Sequence, residues 1–92
     1  MAHMGLTEAE WQVMECLWAA APQTGRAIID ALHETTDWSR STTLTLLRRL
    51  EDKGAVSAES EGGVKHYRPQ VAREDAAVQE TEHLLERVYQ GS

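Results

Sequence analysis

Three helix-spaced apolar stripes occupy the first half of the chain, and then the period changes. Thr7-Glu8-Ala9-Glu10 fits a capping box, a Thr N-cap with a Glu three residues on. Trp11, Met14, Leu17 and Trp18 follow at helical spacing with Val13 beside them, so Glu8, Gln12 and Glu15 turn outward. The stretch from Ala19 to Pro22 closes this helix. Thr24 is the next N-cap, and Ala27, Ile28, Ala31 and Leu32, widened by Ile29, form a second stripe that fades near Thr35-Thr36-Asp37. Ser39 caps a third helix in which Thr43, Leu47 and Leu50 recur at i, i+4 and i+7, flanked by Leu46. Gly54 supplies its left-handed stop.

Beyond Gly54 the pattern alternates. Val56, Ala58 and Ser60 interleave with Ser57 and Glu59, Glu61-Gly62-Gly63 is a turn signal, and residues 64–68 alternate again up to Pro69. This predicts a two-stranded hairpin. From Ala72 a fourth helical pattern carries Ala77, Thr81, Leu84 and Val88, with Val78 and Leu85 adjacent. The predicted fold is mainly α with a small β-hairpin: a winged helix-turn-helix followed by the start of a further helix. Residues 1–5 read as an expression scar or frayed terminus, residues 6–70 as the winged-helix domain, and residues 71–92 as a further helix with an apolar stripe.

Composition narrows the function. At 92 residues the chain makes one small domain, or a domain with a docking segment. A domain of this size buries only about two-thirds of its unfolded surface, which disfavours a deep catalytic cavity. A hydrophobic share of 41% argues against wholesale disorder. The single Cys excludes an internal disulfide framework and a multi-Cys zinc site. No apolar run approaches the ~20 residues of a membrane span and no signal-peptide pattern is present, so the expected location is the cytoplasm. Cys16 and the four His residues lack mutual ligand spacing, so no metal site or cofactor is expected. No nucleophile-base arrangement is motivated either, so an enzyme is not expected.

Net charge is −6 with a pI near 5.1, which by itself argues against nucleic acid. The charge is unevenly spread. Residues 1–37 carry one cation against six carboxylates, whereas residues 38–54 carry four against two and residues 64–73 carry three cations and no carboxylate. The two positive segments are the third helix and the second hairpin strand.

A recognition helix presents short hydrogen-bonding side chains and cations near its N-terminal half, where base edges come within reach. Ser41, Thr42 and Thr45 supply hydroxyls and methyls there, Arg40 stands at the helix start, and Arg48 and Arg49 follow. On spacing alone a DNA-reading face and a solvated face whose Ser and Thr cap their own backbone are equally open. Arg49 can clamp a phosphate or pair with an acidic residue between helices. Lys65 and Arg68, with His66, suit a wing lying along the sugar-phosphate backbone, although strict alternation puts Lys65 and Arg68 on opposite faces. Thr24 and Arg26 mark a helix N-terminus whose amides can meet a phosphate. Trp11 and Trp18 fit the core better than base stacking. Trp38 fits a wedge between helices, with its indole N–H within reach of a phosphate.

The run from Leu6 to Met14, with Leu17-Trp18 one turn later, resembles the opening of the BlaI/MecI/CopY family of bacterial repressors. The run from Asp37 to Leu50 resembles that family's Trp-x-x-x-Thr-x-x-Thr-Leu-x-x-Arg-Leu signature, and Lys53-Gly54 its stop. Tyr67 in the wing and the Glu80-Thr81-x-x-x-Leu-x-Arg-Val-Tyr run also fit. The resemblance implies a homodimeric repressor that binds double-stranded, inverted-repeat operator DNA through this domain. It implies dimerisation through C-terminal helices, here beginning with Ala77, Thr81, Leu84, Leu85 and Val88. Family members respond to a regulatory protease or to a metal ion acting on a C-terminal region. Neither the cleavage region nor a Cys-x-Cys pair occurs in this sequence, so the chain is expected to be part of a longer protein. The competing reading is a winged-helix module that binds a partner protein through its acidic faces and last helix.

Overall fold

The computed structural model describes residues 5–77. Three helices, α1 (Glu8–Ala19), α2 (Gly25–Thr36) and α3 (Arg40–Lys53), pack beside a three-stranded antiparallel sheet of β1 (Gln23–Thr24), β2 (Val56–Glu61) and β3 (Val64–Pro69). The strand order is β1-β3-β2, so the hairpin expected from sequence gains a third strand on its β3 side. Gln23 pairs with Tyr67 and Thr24 with His66. Two residues are too few to show an alternating pattern, which is why the hairpin alone was legible.

Each helix begins where the caps predict. Thr7 forms the full capping box with Glu10, the Thr24 hydroxyl accepts from the Ala27 N–H at 3.1 Å, and the Ser39 hydroxyl accepts from the Thr42 N–H at 3.3 Å. Asp37 closes α2 in the left-handed region at φ 64°, and Gly54 closes α3 at φ 80°. Gly62 and Gly63 both have positive φ, the backbone that a two-residue hairpin turn of the primed type requires.

The core is built from Val13, Met14, Leu17, Ile28, Leu47 and Leu50, with Tyr67 and Val56 closing it from the sheet. Two stripe assignments change. Ala27 is exposed, while α2 buries Ile28 and Leu32 of the expected stripe. On α1 the buried row is Glu10, Val13, Met14 and Leu17, rotated by one residue from the expected stripe. Trp11 and Trp18 therefore lie half-buried at its edge, meeting edge to face with ring centroids 5.3 Å apart. The Trp18 indole donates to the Val71 carbonyl at 2.8 Å. This fastens the segment after the wing to α1. Residues 73–77 turn helical, and Ala76 is buried in the core, so the opening turn of the fourth helix packs on its own domain. Ala77 is half-buried. Val78, Thr81, Leu84, Leu85 and Val88 lie outside the described residues, as do residues 1–4.

Thr43 is fully buried beneath α3, and its hydroxyl has no hydrogen-bond partner among the described residues. Val fills nearly the same volume and has similar helix propensity, without a polar atom to satisfy. Thr43→Val is expected to stabilise the domain by about 1 kcal/mol, read as a higher urea midpoint at unchanged slope.

Candidate nucleic-acid interface

The helix-turn-helix is set by the junction at residues 37–39. The Trp38 N–H donates to the Thr36 hydroxyl at 3.2 Å, and the Trp38 carbonyl lies 3.0 Å from His33 Nδ1. The Trp38 side chain is half-buried against the core, and its indole N–H has no partner among the described residues. These contacts fix the angle at which α3 leaves α2.

On α3 the residues singled out from sequence, Arg40, Ser41, Thr42, Thr45, Arg48 and Arg49, are all exposed. Thr43, Leu46, Leu47 and Leu50 face inward. Ser41, Thr42, Thr45 and Arg49 share the rim of a shallow depression of about 270 Å³. The hydroxyls divide into two kinds. Those of Ser41 and Thr42 lie 3.1 and 3.0 Å from the Ser39 hydroxyl, so they belong to the N-cap network. Thr45 makes no such contact among the described residues. Ser39 thus caps the helix backbone, Ser41 and Thr42 contact its hydroxyl, and Thr45 takes no part in that network.

The cations divide in the same way. Arg26 lies 4.0 Å from Asp30, both groups largely in solvent, where an ion pair contributes little. Lys53 pairs with Glu10, and Arg73 pairs with Glu15 at 2.7 Å. Arg40, Arg48, Arg49, Lys65 and Arg68 form no ion pair among the described residues. Arg49 therefore has no acidic partner here, and the interhelical role weighed for it is not seen. The five unpaired cations all sit on α3 and β3. Lys65 shares a face of β3 with the buried Tyr67, and His66 and Arg68 share the other, as alternation requires. Thr24 is bound as the α2 N-cap, with Arg26 exposed beside it.

The structure also shows a residue that the sequence reading placed only in a cap. Glu10 is 1% exposed and accepts from the Thr7 N–H at 2.8 Å and from the Lys53 ammonium. Burial pushes its carboxyl up, but Lys53 and the Thr7 bonds together outweigh that and hold it below the ordinary value. Lys53 also donates to the Gly5 carbonyl at 3.0 Å. This ties the last turn of α3 to the start of α1. The signal was present in the chain: Glu10 occupies position i of the row Glu10, Val13, Met14 and Leu17, a charge on an apolar stripe.

A larger concavity of about 530 Å³ opens between α1 and α2, and Cys16 lies on it. Burial pushes the Cys16 thiol up, against a weaker opposing effect of Gln23. No described helix is long and apolar enough to cross a membrane.

Three helices, a turn-linked exposed third helix and a Gly-tipped wing define a winged helix-turn-helix domain. A family model described as the penicillinase repressor matches residues 6–92. The penicillinase repressor of Bacillus licheniformis is 32% identical over 87 residues, covering 95% of this chain and 68% of that protein. The methicillin resistance regulatory protein MecI of Staphylococcus aureus (strain N315) is 28% identical over 86 residues, covering 94% and 70%. An uncharacterized 16.5 kDa protein of Latilactobacillus sakei is 35% identical over 83 residues, and the matched part is 57% of its length. The fold matches the solution structure of the DNA-binding domain of the repressor BlaI with a TM-score of 0.73 at 32% identity, over 80% of this chain and 90% of that one. It matches the monomeric form of Bacillus licheniformis BlaI, solved with the blaP half-operator, with a TM-score of 0.69 at 34% identity, over 77% and 87%. The chain belongs to the penicillinase repressor family.

Proposed function

We propose that this chain is the operator-binding part of a cytoplasmic transcriptional repressor. Two copies place α3 in successive major grooves of an inverted repeat, about one helical turn apart, with the wings along the backbone. The observation that carries this reading is that, among the described residues, the five unpaired cations are confined to α3 and β3 on a chain of net charge −6. Acidic surface elsewhere repels phosphate, so α3 and β3 are the elements the domain offers a duplex. Likeness to BlaI, solved in complex with a half-operator, supports the DNA-binding reading.

Within this reading Thr45, Ser41 and Thr42 meet base edges, and Arg40, Arg48 and Arg49 meet phosphates or bases. Lys65 and Arg68 hold the backbone from the wing. Thr24 and Arg26 bring the start of α2 to a phosphate. The segment from residue 71 onward begins the dimer contact, with Ala77, Thr81, Leu84, Leu85 and Val88 as its apolar row. A regulatory protease or a metal ion acting on a further C-terminal region releases the DNA.

The test is duplex binding across a salt series. Log K is expected to fall linearly with log salt, by about 0.9 for each phosphate neutralised, and palindromic sites should bind more tightly than their half-sites. A confirmed dimer that binds no duplex at low salt excludes the repressor reading and favours the protein-interaction module. Lys65→Ala is expected to weaken all duplexes alike.

A further inference from the structure

We propose that Leu44 is a specificity-determining residue that reads a thymine C5-methyl group, an inference that rests on the DNA-binding reading of α3. Leu44 is 37% exposed and is the large hydrophobic side chain that α3 presents to solvent. A single exposed Leu is ordinary on a protein surface, so its position has to carry the argument. Successive residues of a helix are about 100° apart, so Ser41, Thr45 and Arg48 run down the middle of the outward face. Leu44 lies along one side of that row, and Thr42 and Arg49 lie along the other. Arg40 and Arg48 stand one turn before and one turn after Leu44, and neither forms an ion pair among the described residues.

Leu44 is the fifth residue of α3 and so lies in the half of a recognition helix that reaches base edges. When that face enters a groove, the Leu44 side chain loses its water whatever it meets. Placed against phosphate it strips water from a charge and returns nothing. The floor of the major groove offers one apolar group, the C5-methyl of thymine, and contact with it turns the loss of water on both sides into a gain. Where the cations one turn away on either side hold the backbone, Leu44 is left with the base edges between them. A hydroxyl at Thr45 or Ser41 accepts several bases, whereas an isobutyl group discriminates for a methyl.

The experiment selects tight duplexes from a randomised pool with the wild-type protein and then replaces each thymine of the selected site with uracil, which removes only the methyl. One uracil position per half-site is expected to weaken wild-type binding about fourfold, the worth of one methyl group taken out of water. Leu44→Ala is expected to bind the thymine and uracil duplexes equally at that position. A fresh selection with Leu44→Ala should lose the thymine there. If the wild type selects a site and no uracil exchange weakens it, or if Leu44→Ala keeps the same sensitivity, the assignment of Leu44 is overturned while DNA binding stands. If the wild type selects no site at all, both readings fall together.

Discussion

Replacing Lys53 with methionine is expected to destabilise the domain by about 3 kcal/mol at neutral pH, and Glu10→Gln by distinctly less. The asymmetry comes from burial. Glu10 is 1% exposed, whereas the Lys53 side chain is 30% exposed. Without Lys53, the Glu10 carboxylate is left in the core with the Thr7 N–H as its remaining donor among the described residues. Without the Glu10 charge, Lys53 keeps the Gly5 carbonyl and swings further into water. Glutamine at position 10 still accepts from Thr7, so the cap survives. Small domains have about 5–15 kcal/mol of stability in total, so the Lys53 loss is large enough to read directly as a urea midpoint.

The same pair gives the fold a defined pH dependence. Glu10 has a lowered pKa in the folded state, so the unfolded chain binds the proton more readily. Its contribution is complete above the ordinary carboxylate value of 4.5 and is lost as the pH falls through the lower folded value. In Lys53→Met the deficit relative to wild type should therefore be full at neutral pH and shrink under acid, because a protonated Glu10 carries no charge to strand. A deficit that stays constant from pH 7 to below the carboxylate range would show that Lys53 acts through packing of its stem alone.

The sequence made some parts of this molecule plain and hid others for physical reasons. Thr7, Thr24 and Ser39 as caps, and Gly54, Gly62 and Gly63 as turns, are local chemistry, set by groups within a few residues of one another. The exposed row of α3 follows from helical period in the same way. The pairing of Glu10 with Lys53 joins residues 43 positions apart, and no local pattern encodes it. Strand β1 exists because β3 offers it an edge. The regional charge read from the chain pointed to α3 and the wing, but it counted Lys53 and Arg73 among the available cations. Tertiary structure removes both, one to Glu10 and one to Glu15, and so sharpens the cationic face.

That sharpened face predicts the largest effect on binding. The triple variant Arg40→Gln, Arg48→Gln, Arg49→Gln is expected to lose about 10²- to 10³-fold in duplex affinity near 0.1 M salt, through counterion release at about three phosphates. The slope of log K against log salt should become shallower by about 2 to 3. All three side chains are exposed and lack ion-pair partners among the described residues, so glutamine removes charge without stranding a carboxylate. The unfolding midpoint should then stay within the small range usual for surface exchanges. Arg73→Gln serves as the control, because that cation is already engaged by Glu15 and lies off both proposed contact elements. The two readouts separate roles within the triple. An arginine that holds a phosphate lowers affinity and slope together, whereas one that reads a base lowers affinity for the selected site with little change of slope. Unchanged affinity and slope in the triple variant would place the duplex on some other surface, and α3 would no longer be the recognition helix.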